Sequence, residues 1–213
     1  MKTILCFGDS LTWGFEAGTW KRHAFADRWP NVLAGGLEGK AQVVEEGMNG
    51  RTTAYDDLTD AAELNGARAL PILLKSHEPL DLVIIMLGTN DVKFAARCRA
   101  FDAALGMGRL VEIVQHFPYN PNYSAPKVLV VSPPPLCETK DEYFNDTWGH
   151  AVEESKKFAY HYAKVAKERD VHFFDAGSVA KADPIDGGHL DVANTRAIGK
   201  ALVAIVRPIL QLQ

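Results

Sequence analysis

The run Leu82-Val83-Ile84-Ile85-Met86-Leu87 is apolar at every position. A strand carries such a run when both of its faces are buried, as in the middle of a parallel sheet covered by helices on each side. Val128-Leu129-Val130-Val131 repeats the pattern. Around these two runs the chain alternates between short apolar segments and longer amphipathic ones. Strands are expected over residues 3–7, 42–45, 80–87, 127–132 and 171–174. Helices are expected over 27–37, 65–77, 100–117, 145–169 and 194–210, with Pro71 disturbing the second and Phe158, Tyr162 and Val165 on one face of the fourth. Strands separated by helices predict an α/β fold with a parallel sheet and right-handed crossovers. No repeat, low-complexity tract or linker interrupts the sequence, so residues 1–213 read as one domain.

Composition narrows the partners. A net charge of -4 lacks the basic footprint of a nucleic-acid-binding protein. No apolar stretch is long enough to span a bilayer, and Met1-Lys2-Thr3 runs straight into a strand with no room for a signal peptide. Cys6, Cys98 and Cys137 form neither a CxxC pair nor a metal-like cluster. A cytoplasmic protein with reduced thiols is the expectation.

Chemistry concentrates where strands end, which is where open α/β sheets bind ligands. Gly8-Asp9-Ser10-Leu11 follows the first apolar run and places a serine at its carboxyl end. A serine there can be a nucleophile, or it can cap a helix or sit in a turn. A hydroxyl attacks only when a base takes its proton, and histidine titrates in the right range. Asp186-Gly187-Gly188-His189 offers such a base, with an acid three residues earlier to fix its tautomer. The two glycines permit a loop tight enough to bring the side chains together. His77, His116, His150 and His161 lie in or beside helical stretches and read as surface or core residues.

Gly88-Thr89-Asn90-Asp91 follows the central run, and the Asn90 amide can donate into the same crevice or form an Asx turn. Gly50, within Asn49-Gly50-Arg51-Thr52, can present its backbone N–H to the same oxygen, and Arg51 reads as a structural ion-pairing residue that locks its loop. Two long connections, 12–26 and 133–144, leave the carboxyl ends of strands. Pro133-Pro134-Pro135 stiffens the second, as the wall of a site or as a rigid surface turn. Trp13, Phe15 and Trp20 lie just beyond the serine and either line a mouth or serve packing.

These blocks, in this order, resemble the SGNH hydrolase superfamily of GDSL esterases and lipases. The segments 6–14, 45–50, 80–91 and 127–136 are closest to its bacterial arylesterases that also act as acyltransferases in water. The resemblance implies a flavodoxin-like three-layer α/β/α sandwich, a five-stranded parallel sheet of order 2-1-3-4-5, and no cofactor or metal. It implies Ser10 as nucleophile, His189 as base and Asp186 as orienting acid. The oxyanion hole it implies comprises the Ser10 and Gly50 N–H groups and the Asn90 side chain. Asp9, Trp13 and Pro134 are the expected substrate contacts. The partner expected is a small-molecule ester, an acetate above all, with neither nucleic acid nor membrane. Homo-oligomers, including octamers, are expected from the same branch. An alcohol or peroxide acceptor in place of water is the alternative reading. A non-catalytic flavodoxin-like binding domain is a further one, although the first strand–loop lacks the phosphate-binding glycine patterns.

Overall fold

The computed structural model describes residues 1–96 and 98–212. Strand β1 (Lys2–Gly8) leads into a single-turn helix α1 (Ser10–Trp13) and a small antiparallel hairpin, β2 (Phe15–Glu16) and β3 (Lys21–Arg22). Helix α2 (Trp29–Gly36), strand β4 (Ala41–Gly47), helix α3 (Gly66–His77) and strand β5 (Leu82–Met86) follow. Next come α4 (Ala100–His116), β6 (Lys127–Ser132), α5 (Glu142–Trp148), α6 (Val152–Ser155), α7 (Phe158–Glu168), β7 (His172–Asp175) and α8 (Val192–Leu210). The main sheet has the order β4-β1-β5-β6-β7, and every neighbouring pair is parallel. Numbered among the five sheet strands alone, this is the expected 2-1-3-4-5.

The two-residue period of a strand divides the core. Leu5, Phe7, Val83 and Ile85 point to one face, where Leu70 and Leu74 of α3, Met107 and Val111 of α4, and Phe158 and Tyr162 of α7 cover them. Ile4, Cys6, Ile84 and Met86 point to the other, against Trp29 and Leu33 of α2 and Ile198, Leu202 and Val206 of α8. All five residues of β5 are buried, as its unbroken apolar run demands. Each large side chain buried this way contributes about 1.5–3 kcal/mol. No helix among the described residues is long and apolar enough to cross a membrane.

Two local expectations are corrected. Pro71 does not break α3, which runs unbroken from Gly66 to His77. The ring removes one intrahelical donor, but Leu70 and Leu74 on the buried face hold the helix to the core. The helix expected over 145–169 is several pieces, α5, a 3-10 turn at Gly149–Ala151, α6 and α7. The chain turns there because Phe144 and Trp148 face a cavity whereas Phe158 and Tyr162 face the sheet. The long connection 12–26 holds the end of α1 and the whole hairpin.

Candidate active site

β1 ends at Gly8, and the chain turns at once into α1. The Asp9 carboxylate caps that helix, its Oδ1 accepting from the Leu11 N–H at 2.9 Å. This sets Ser10 at the first helical position, beyond the carboxyl edge of the sheet. Asn90 follows β5, and β1 and β5 flank the point where the chain's direction of travel across the sheet reverses. Crevices at such points are where open α/β sheets hold ligands.

Arg51 braces this edge. Its Nη1 donates to the Gly8 carbonyl at 2.8 Å and also to the Glu46 carbonyl, and its guanidinium lies 4.4 Å from the centre of the Phe7 ring. It therefore ties the ends of β1 and β4 through main-chain oxygens, where an ion pair was expected. Burial pulls its pKa down to about 10, with Glu46 and Asp9 acting in the opposite direction.

The loop after β7 brings the distant base to the serine. His189 Nε2 lies 2.9 Å from Ser10 Oγ, and His189 Nδ1 lies 3.0 Å from Asp186 Oδ2. A carboxylate beside Nδ1 assigns the ring proton to that nitrogen and leaves Nε2 to accept from the hydroxyl. The other carboxylate oxygen, Oδ1, accepts from the Gly188 N–H at 3.0 Å and the His189 N–H at 2.9 Å. Burial alone would raise the Asp186 carboxyl, but the His189 ring and these amides outweigh it and hold it below its usual range. Gly18, in the turn of the hairpin, donates to Asp186 Oδ2 at 3.3 Å. The hairpin is itself anchored to β4 through Arg22, which bonds Glu45, and the same carboxylate accepts from Arg28 and from Asn31 of α2.

Ser10 and His189 open into a cavity of about 340 Å³. Part of its lining is a continuous aromatic surface of Phe15, Trp20, Tyr143, Phe144 and Trp148. Another part is polar, with Asp57, Thr59, Asp60 and Lys93 beside Leu64. Gly50 and Asn90 line the same cavity as Ser10. Gly50 has φ +82°, a conformation that side chains other than glycine's rarely adopt. One Asn90 amide N–H is spent on the Arg51 carbonyl at 3.0 Å, which fixes the amide and leaves the second N–H. Behind it, Asp91 accepts from both the N–H and the hydroxyl of Thr53. Among the described residues no group of three or more His, Cys, Asp or Glu side chains is placed to hold a metal ion.

The expected substrate contacts are placed differently. Asp9 is wholly buried behind the serine as the α1 cap and does not line the cavity. Trp13 packs under the Arg22 guanidinium, 4.8 Å from its ring centre, and is also outside the lining. Pro134 is buried, and the connection that follows it acts on the Asp186 loop instead. Cys137 N–H donates to the Gly187 carbonyl at 2.9 Å, and Leu136 N–H to Ser155 Oγ at 2.9 Å. The stiff segment is thus a brace, and α5 supplies the wall through Phe144 and Trp148. Lys93 and Asp57 escaped the sequence reading. Lys93 stands two positions beyond the Gly88-Thr89-Asn90-Asp91 block, and that proximity was the one available signal.

The arrangement can draw a proton from a serine hydroxyl onto an imidazole whose far nitrogen is held by a carboxylate. Residues 6–196 match the model of the GDSL-like lipase/acylhydrolase family. Among solved structures, a carbohydrate acetylesterase family member from Sinorhizobium meliloti is 50% identical, with all of both chains covered and a TM-score of 0.97. Another carbohydrate acetylesterase from Sinorhizobium meliloti is 41% identical over 98% of this chain and 100% of that one, with a TM-score of 0.94. The aryl esterase of M. smegmatis, in its inhibitor-bound form, is 46% identical over 99% of this chain and 100% of that one, also with a TM-score of 0.94. No curated protein matches the chain. The family match spans nearly the whole sequence, and the chain belongs to the GDSL-like lipase/acylhydrolase family, as a carboxylic ester hydrolase.

Proposed function

We propose that the protein is a serine esterase that removes short acyl groups, acetyl above all, from aryl or carbohydrate alcohols through an acyl-enzyme. The observation that carries this reading is the unbroken hydrogen-bonded line Ser10–His189–Asp186, with separations of 2.9 and 3.0 Å, opening into one cavity. Ser10 Oγ attacks the ester carbonyl carbon while its proton passes to His189 Nε2. The carbonyl oxygen takes the negative charge and is met by the Ser10 and Gly50 N–H groups and the free Asn90 amide N–H. The tetrahedral centre collapses, the bond to the leaving oxygen breaks, and His189 gives that oxygen its proton. Water then repeats the sequence on the acyl-enzyme and frees the acid and Ser10.

The modest cavity supports a short acyl group, and its aromatic surface supports a flat aryl or sugar alcohol. The names of the similar structures, acetylesterase and aryl esterase, support the same two classes. Water is the acceptor in this reading. Pro133, Pro134 and Pro135 lie outside the cavity lining, so that segment gives no support to an alcohol or peroxide acceptor.

The test is hydrolysis of p-nitrophenyl acetate by the wild type and by Ser10→Ala, with both proteins shown to be folded. Loss of the nucleophile should lower kcat roughly a thousandfold or more. Equal rates would reject the serine mechanism.

A further inference from the structure

Among the described residues, the cavity lining holds one lysine, Lys93, that the proposed mechanism does not use. Lys93 Nζ pairs with Asp57 Oδ2 at 3.3 Å, and the two side chains are only 15% and 1% exposed. Asp57 is itself fixed, since its Oδ1 accepts from the N–H of Thr59 at 3.0 Å and from its hydroxyl at 2.5 Å. An ammonium has three donors. Among the described residues Lys93 donates only to Asp57, so N–H groups remain for a ligand. They stand beside the proposed oxyanion hole, because a Cβ built on Gly50 would lie 3.8 Å from Lys93 Nζ. On the other side, the Trp148 ring centre lies 5.5 Å from the ammonium.

The two halves of an ester are told apart by His189. It must protonate the leaving oxygen, so the leaving alcohol lies on its side of the cavity. There the rings of Phe15 and Phe144 touch the imidazole, with centroids 4.1 and 5.5 Å away. Leu64 and Lys93 both lie against Gly50 in the same cavity, and this is the side left for the acyl group. Resting on the serine-esterase reading, we propose that Lys93 is a specificity-determining residue that reads the acyl group. Its ammonium donates a hydrogen bond to a neutral oxygen near the acyl carbonyl, so that hydroxyacyl esters are preferred over alkyl esters of equal size. A carboxylate at that position is disfavoured, because Asp57 and Asp60 line the same polar surface and outnumber the lysine. A buried donor left unpaired by an alkyl chain is what creates the discrimination.

Ethyl glycolate and ethyl propionate test this, since they share a leaving group and differ only by hydroxyl for methyl. The readout is the ratio of their kcat/KM values, compared between the wild type and Lys93→Met, so that the intrinsic reactivity of each ester cancels. The ratio should fall about tenfold in Lys93→Met and be largely kept in Lys93→Arg. An unchanged ratio in Lys93→Met, including an equal loss on both esters, overturns the proposal. Inhibition of the wild type gives a readout that needs no variant. Glycolamide should compete more tightly than propionamide, and equal inhibition overturns the proposal. Ser10→Ala separates the two levels: if it hydrolyses both esters at the wild-type rate, the esterase reading fails. If turnover needs Ser10 and the ratio ignores Lys93, only the acyl-reading role fails.

Discussion

The Phe15 ring lies stacked on the His189 ring, with centroids 4.1 Å apart and planes 25° from parallel. Phe144 meets the same imidazole edge-on, at 84°. The proposed base is thus held by two rings as well as by Asp186. Phe15 comes from the hairpin that follows the serine, and a bridge between Glu16 and Leu190 ties that hairpin to the residue after His189. Nucleophile and base are therefore coupled through the chain segment directly after Ser10.

Removing the stacked ring should loosen the imidazole while leaving its hydrogen-bond partners in place. We expect Phe15→Ala to lower kcat on p-nitrophenyl acetate by about ten- to a hundredfold, the scale of a small misplacement of reacting groups. Phe15→Leu, which keeps most of the volume, should recover part of the loss. A wild-type kcat in Phe15→Ala would show that Asp186 alone orients the base.

What the sequence revealed, and what it withheld, follows from the range of each interaction. The buried β5 strand was legible because its apolar run is local, and so was the Asp186–His189 pair, three residues apart. The line from Ser10 to His189 spans 179 positions, and complementary chemistry and family resemblance joined them, not spacing. Trp13 and Phe15 looked equivalent as lining residues. The hairpin sends Phe15 onto His189 and leaves Trp13 beneath Arg22, and such short strands have no periodicity to read. The Lys93–Asp57 pair joins residues 36 apart across two loops, with no local signal for their meeting. Pro133-Pro134-Pro135 carried no signal for which side faces the cavity; the residues that follow, Leu136 and Cys137, bond Ser155 and Gly187 across long sequence distances.

Asn90 is held by the Arg51 carbonyl, so its remaining N–H is aimed before substrate arrives. A donor fixed in advance stabilises charge that develops in the transition state more than it stabilises bound substrate. Asn90→Ala should therefore lower kcat about a hundred- to a thousandfold with little change in KM, as steady-state kinetics on p-nitrophenyl acetate would show. A rise in KM at constant kcat would place the amide in ground-state binding instead.

Asp9 and Asp91 are wholly buried near one another, and burial pushes each carboxyl up to about 7. The Leu11 N–H, Arg51 and Lys93 oppose the rise at Asp9, and the Thr53 bonds oppose it at Asp91, while the Asp9 charge adds to the rise at Asp91. Among the described residues, Asp9 Oδ2 has no hydrogen-bond partner. A carboxyl raised on folding stabilises the fold fully below its unfolded pKa, and that contribution is lost as pH rises through the folded value. For Asp9 the window runs from about pH 4 to about pH 7. Asp9→Asn keeps an oxygen to cap Leu11 and has no proton to lose. Its Tm relative to the wild type should rise between pH 5 and pH 8, by thermal melts at both values. A difference independent of pH would mean that Asp9 keeps one charge state in the folded and unfolded chains.

The loop that carries the acid and the base leaves no room at Gly187. The residue has φ +78°, and a Cβ there would lie 2.5 Å from the Cys137 carbonyl oxygen, an atom of the main chain. The Cys137 N–H in turn donates to the Gly187 carbonyl, so the two strands of the brace cannot part without losing a bond. Gly188 differs, because a Cβ there would meet only Leu136 Cδ2 at 3.5 Å, an ordinary contact. Gly187→Ala should cost roughly 2 kcal/mol or more from the backbone conformation and the clash together. That corresponds to a fall in Tm of about 5 °C or more in a chain of this length. kcat should fall with it, since the displaced segment carries Asp186 away from His189 Nδ1. Gly188→Ala should stay within about 2 °C of the wild type. Equal effects of the two substitutions would show that the loop tolerates movement at Cys137, and the brace would then have no part in holding Asp186.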